Sequence, residues 1–190
     1  MSTDFAAARL NMVESQIRTA DVTDLPLQDA LRVVAREALV PASKAYLAYA
    51  DADVEYAPGR WLLRPREVGK LLQNLKPREG EKALAIAAPY AAAVLEAMGL
   101  SVTRLEGEDL KAVPGAGYDV IVCEGAVSVT PKSWRDALAV GGRLGVIERT
   151  GPVGRAVVYV RAEDGVGCRQ SFDASPPILA GFEVEAGFSF

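Results

Sequence analysis

Residues 83–99, "ALAIAAPYAAAVLEAMG", decide the fold. The apolar run at 83–86 has the length of a buried strand, and "PYAAAVLEAMG" reads as a helix with Pro89 in its first turn and Gly99 at its end. In an open α/β sheet, a strand, a tight loop and a helix in succession form the place where a nucleotide-type cofactor usually sits. A loop of that kind needs residues without a Cβ, because side chains block a ligand's approach to the backbone and most residues avoid φ > 0. The stretch holds no glycine before Gly99. It therefore predicts the architecture while withholding the loop chemistry.

Downstream the pattern repeats. "KALAIA", "YAAAVLEAMG", "SVTRLE", "YDVIVCEG", "PKSWRDALAVGG" and "RLGVIE" alternate short apolar runs with helical ones, which implies a parallel sheet buried on both faces. Gly141 and Gly142 are expected at the end of the helix that begins at Pro131. Ala156 to Arg161 and Cys168 to Phe172 flank the turn residues "EDGVG" and predict an antiparallel hairpin at one edge. The tail "SPPILAGFEVEAGFSF" has no clear period and is expected to be extended and packed over the surface.

Upstream, Phe5, Ala8, Met12, Val13 and Ile17 form an apolar stripe that predicts a helix over residues 3 to 18. A second helix is expected from an N-cap at Thr23 or Asp24, with Pro26 in its first turn, through "LQDALRVVARE". Val68, Leu71, Leu72 and Leu75 mark a third. The organisation expected is one domain, with a helical N-terminal extension over 1–78 and an α/β core with its tail over 79–190.

Composition narrows the function classes. Lys and Arg number 21 against 25 Asp and Glu, a net charge of −4 with no basic cluster, so nucleic acid is not an expected partner. No histidine is present, which removes the usual general base near neutral pH and the commonest transition-metal ligand. Cys123 and Cys168 have no CxxC spacing, and neither a disulfide nor a thiolate metal site is expected. The N-terminus lacks a signal-peptide pattern and no run reaches the roughly 18 apolar residues of a membrane span, so the chain reads as cytoplasmic.

Several stretches resemble the protein-L-isoaspartate O-methyltransferases in collinear order. "NMVESQIR" is similar to that family's opening "MV..Q", "VVAREALVP" to its "VPRE.FVP" and "AYAD" to its "AY.D". "YAAAVLEAMG" is similar to the helix after its cofactor loop, and "YDVIVCEGA" and "LAVGGRL" to its later strand and glycine turn. "FDASPPILAGF" resembles the tail of a divergent bacterial branch. The resemblance implies a Rossmann-like methyltransferase fold, α/β with a mostly parallel sheet and a C-terminal antiparallel hairpin. It further implies S-adenosylmethionine as methyl donor and isoaspartyl carboxylates of damaged proteins as substrate.

Three segments depart from the family's pattern. "ALAIAAPY" aligns with "VLEIGTGSGY" but is two residues shorter and puts Ala87, Ala88 and Pro89 where the loop glycines stand. "GRWLLRP" aligns with "GQTISQP", so that Trp61 and Leu63 replace hydroxyl residues and Arg64 replaces Gln. Glu106 ends its strand as the family's ribose-binding acid does, yet only residues 107 to 117 separate it from the next strand. A parallel crossover alone needs about a dozen residues, so one strand and one helix are expected to be missing after Glu106, leaving 101–106 as a sheet edge.

The expected function follows from those departures. The chain is expected to be a methyltransferase-like protein, degenerate in its cofactor site, that takes no cofactor and acts as a binding or scaffold module. Its partner would be another protein, or a second copy at the 101–106 edge. The alternative is an active S-adenosylmethionine-dependent carboxyl O-methyltransferase, in which Glu106, Tyr90 and the backbone at Ala87 would hold the cofactor. A third reading has Arg60 and Arg64 recognising an acidic small ligand. Cys123 and Glu124 stand at the carboxyl end of their strand, where such sheets place functional groups, though Cys123, Trp134 and Tyr90 also suit packing roles. No catalytic residue and no metal ligand is assigned.

Overall fold

The computed structural model describes residues 4–184. Helix α1 (Phe5–Met12) starts at Asp4, whose carboxylate accepts from the Ala7 amide at 3.0 Å. It continues as a π turn over Val13–Ile17 and a 3₁₀ turn over Arg18–Ala20. Met12, Val13 and Ile17 from this stripe are fully buried. The expected start at Thr3 lies outside the described residues.

Helix α2 (Leu25–Val33) is capped as expected, with the Asp24 carboxylate accepting from the Leu27 amide at 2.9 Å and Pro26 in the first turn. It ends sooner than the sequence pattern suggests. At about 100° per residue, Arg36 on an unbroken helix would sit about 180° from the buried Leu27, on the solvent side. The chain instead leaves the helix at Val34 and forms a 3₁₀ turn, Arg36–Leu39, which carries Arg36 into the interior. A second 3₁₀ turn (Ala42–Leu47) leads to a small antiparallel hairpin of β1 (Val54–Ala57) and β2 (Arg60–Leu62), and then to helix α3 (Pro65–Leu75).

The core follows as β3 (Lys82–Ile86), α4 (Pro89–Ala97), β4 (Ser101–Leu105), β5 (Tyr118–Val127), α5 (Lys132–Asp136), β6 (Leu138–Glu148), β7 (Arg155–Ala162) and β8 (Gly165–Asp173). Six strands form one sheet in the order β4-β3-β5-β6-β7-β8. The first four run parallel, and the hairpin β7–β8 adds antiparallel to β6. Among the described residues β4 is the sheet edge, and residues 106–117 cross to β5 with neither helix nor strand. This connector is nonetheless anchored: Leu110 is buried, and its carbonyl accepts from Trp134 Nε1 at 2.7 Å.

Alternation along the parallel strands separates two cores. Ala83, Ala85, Val120 and Val122 face α3, α4 and the N-terminal helices, whereas Leu84, Ile86, Ile121 and Cys123 face Leu110, Trp134, Leu179 and Phe182. The tail is therefore part of the second core. Leu179 donates its amide to Ala126 at 2.8 Å, and Phe182 packs on Trp134 with ring centroids 5.4 Å apart. The remainder of the tail, 185–190, lies outside the described residues.

One sequence expectation is corrected here. The helix after Pro131 closes at Ala137, and Gly141 and Gly142 lie inside β6 instead of at a helix cap. Pairing jumps from Tyr118 with Leu138 to Val120 with Arg143, so extra β6 residues form a bulge in which Gly141 has φ +80°. The left-handed position was foreseen; the element that requires it was not.

Candidate functional site

The carboxyl ends of β3, β4 and β5 meet the turn into α4. Ala87 takes the left-handed conformation that glycine would take there (φ +44°), and its amide donates to the Leu105 carbonyl at 2.9 Å. Ala87, Ala88 and Tyr90 are all fully buried. Pro89 at the first helical position removes an amide that has no intrahelical partner anyway.

The Ala91 amide, in the first turn of α4, is taken from within the chain. Pairing of β5 with β6 jumps from Val122 with Gly145 to Ala126 with Ile147, a bulge over 123–125 that re-aims Glu124. Glu124 Oε1 accepts from the Ala91 amide at 2.6 Å, and Oε2 accepts from the Leu63 amide at 3.2 Å. A helix N-terminus attracts anions through its unpaired amides and dipole, so Glu124 occupies the position an external anion would seek. Burial pushes its carboxyl up to about 7, against the pull of the Arg36 charge and both amides.

Arg36 lies behind this strut, fully buried, donating from Nε to the Ala48 carbonyl at 2.6 Å and from Nη2 to the Leu63 carbonyl. Its guanidinium stands 4.6 Å from the centroid of the Tyr90 ring. Arg36 Nη1 and the Tyr90 hydroxyl have no partner, and burial raises the phenol's pKa. Tyr90 thus faces a buried arginine.

The β1–β2 hairpin covers the end of β4. Tyr56 donates its hydroxyl to Glu106 Oε2 at 2.9 Å, and Arg60 donates to the Gly107 carbonyl at 2.8 Å. Glu106 stays exposed, and partial desolvation beneath the hairpin raises its carboxyl, opposed chiefly by the Tyr56 hydrogen bond. Arg64 is committed to Asp53, which accepts its amide at 3.0 Å and pairs with its guanidinium at 3.7 Å. Leu63 is fully buried at the crevice, whereas Trp61 pairs with Glu55 in the hairpin and is only partly buried. Cys123 is buried and its thiol pKa is raised by desolvation, which suits packing. Among the described residues no cluster of three or more His, Cys, Asp or Glu is placed to hold a metal. No helix among them is long and apolar enough to cross a membrane.

No family model matches the chain. A protein-L-isoaspartate O-methyltransferase of Methylorubrum populi is 32% identical, covering 92% of this chain and 96% of the relative. Protein-L-isoaspartate O-methyltransferase 1 of Rhodopseudomonas palustris is 33% identical over 96% of this chain and 86% of its own length. The chain belongs to the protein-L-isoaspartate O-methyltransferase family. A Plasmodium falciparum structure, described as a beta-aspartate methyltransferase of this family in complex with S-adenosyl-L-homocysteine, superposes with a TM-score of 0.73. It covers 94% of this chain and 99% of that one at 15% identity, which shows a common fold. The methyltransferase fold expected from the sequence is therefore the fold observed.

Of the residues that the sequence singles out in this family member, Ala87, Tyr90, Glu106, Leu63 and Glu124 converge on one crevice, and Arg60 reaches its rim. Arg64 is diverted to Asp53. Arg36 and Tyr56 were missed. A lone arginine after an amphipathic helix gives no local sign of burial, and nothing near Tyr56 in the sequence points to a strand end fifty residues away.

Proposed function

We propose that this chain keeps the methyltransferase fold without S-adenosylmethionine binding and acts as a binding or scaffold module. The observation that carries this reading is the fully buried Glu124 carboxylate, bonded to the Ala91 amide in the first turn of α4 and to the Leu63 amide. The residues present do not fit the cofactor. The Ala87 methyl stands where a glycine loop leaves room, and one oxygen of Glu106, the acid suited to ribose hydroxyls, accepts from Tyr56. The crevice residues hold the turn into α4 and tie the hairpin to β4. The exposed edge of β4 is then the surface at which a protein partner, or a second copy, would add a strand.

The test is calorimetric titration with S-adenosylhomocysteine alongside a radiolabelled-methyl assay on an isoaspartyl peptide. The expected outcome is neither saturable heat nor methyl transfer at cofactor concentrations up to about 100 μM.

An active carboxyl O-methyltransferase acting on isoaspartyl residues is the second reading. The names of the relatives favour it, as does Glu106 at the end of β4. Turnover lost on Glu106→Ala would establish it.

A further inference from the structure

A different part of the molecule shows groups that the fold leaves unused. A cavity of about 330 Å³ opens between the π turn at Val13–Ile17, the first half of α3 and the end of β8. Isolated π turns are frequent at functional sites. Glu67, on α3, is 93% buried at its wall, being only 7% exposed, and its Oε2 has no partner.

The buried part of the wall is short of donors. Gln16 donates its amide nitrogen to the Tyr49 carbonyl at 2.8 Å, which leaves its Oε1, also without a partner, as an acceptor. Ser15 and Thr19 spend their hydroxyl protons on the carbonyls of Asn11 and Ser15, at 2.7 and 2.6 Å, so only lone pairs remain. Of the two wall cations, Arg66 pairs with Asp51 at 3.2 Å, while Lys70 Nζ lies 4.5 Å over the Phe172 ring, turned away from Glu67 and without an ion pair among the described residues. Glu67 Oε2 and Gln16 Oε1 are buried acceptors that no donor of the wall reaches, and the unpaired buried carboxyl calls for a positive occupant.

We propose that this cavity binds a small organic cation, an alkylguanidinium or alkylammonium of about ten non-hydrogen atoms by the volume available. The cation donates to Glu67 and Gln16 inside, and to Ser15 and Thr19 at the mouth. The charges that face Glu67 are Asp51 and Asp53 from the segment before β1, Arg64 just before α3, Arg66 and Lys70 from α3, and Asp173 from the end of β8. Burial, aided by Asp53, pushes the Glu67 carboxyl up to about 7 when no cation is bound. Binding therefore strengthens with rising pH, since only the ionised carboxylate attracts the cation. With ionisation at about 7, the apparent affinity at pH 5.5 is about 30-fold below that at pH 8.

The probe is agmatine, which carries a guanidinium and an ammonium, titrated calorimetrically into the full chain. One saturable site is expected at pH 8, about 30-fold weaker at pH 5.5. Glu67→Gln, nearly isosteric, should weaken it at least tenfold. Thr19→Val, at an exposed position that the fold tolerates, should weaken it about two- to fivefold. Saturable heat absent at about 10 mM agmatine, affinity unchanged in Glu67→Gln, or tighter binding of inorganic phosphate than of agmatine would each overturn the proposal.

Discussion

Glu124 and Glu67 are both buried carboxyls pushed up to about 7 by burial, yet the chain treats them in opposite ways. At the crevice both oxygens of Glu124 accept backbone amides from separate elements, and a buried arginine supplies the counter-charge. At the cavity one oxygen of Glu67 has no partner, and the hydroxyls around it have already given away their protons. Burial alone therefore does not mark a ligand site. For these two carboxyls the difference is whether the chain itself completes their hydrogen bonds, although Arg36 Nη1 and the Tyr90 hydroxyl behind Glu124 stay without a partner.

Glu124→Ala tests the strut and should have the largest effect. It strands Arg36 without its counter-charge and leaves the Ala91 and Leu63 amides unpaired, so equilibrium denaturation should show a loss of about 3–5 kcal/mol. A loss below about 1 kcal/mol would erase the distinction between the two glutamates.

Next in size is Gly125→Ala. A Cβ there would lie 2.7 Å from Leu179, at φ +127°, and should cost about 2 kcal/mol by displacing the tail from the crevice's flank. Limited proteolysis of the tail should accelerate in parallel. Unchanged midpoint and cleavage rate would mean that the tail does not brace this region.

Glu67→Gln sharpens the other side. For both glutamates the folded-state pKa lies above the ordinary 4.5, so the native chain binds more protons than the unfolded chain between about pH 4.5 and 7. Stability should fall as pH rises through that window and level off above it. Removing the Glu67 charge should therefore stabilise the chain by about 1–2 kcal/mol at pH 8 and by little at pH 4.5, read from thermal midpoints at the two values.

The smallest effect is expected at Gly141. Nothing lies within 4 Å of a Cβ there, so Gly141→Ala carries only the cost of φ +80°, about 1 kcal/mol. The same loss with altered pH dependence would show that the β6 bulge communicates with the crevice.

The parts of this structure legible in the sequence are those that local pattern encodes. The apolar runs at 83–86, 120–123 and 143–147 gave the parallel strands, and the shortness of residues 107–117 gave the sheet edge at β4. Asp24 gave the start of α2 because a cap acts three residues away. The rest depends on partners distant in the chain. Arg36 turns inward to reach Ala48 and Leu63, and Glu124 reaches Ala91 only because a bulge in β5 re-aims it. Neither event leaves a period in the sequence. The orphaned Glu67 was equally hidden, since its position on α3 reads as an ordinary acidic first turn.

The most direct measurement is calorimetric titration of the full chain with S-adenosylhomocysteine at pH 7.5. A crevice closed by Glu124, Tyr56 and Ala87 predicts no saturable heat up to about 100 μM, an affinity weaker than about 5.5 kcal/mol. Saturable binding below that concentration, lost on Glu106→Ala, would contradict the closed crevice and place the chain among the cofactor-binding members of its family.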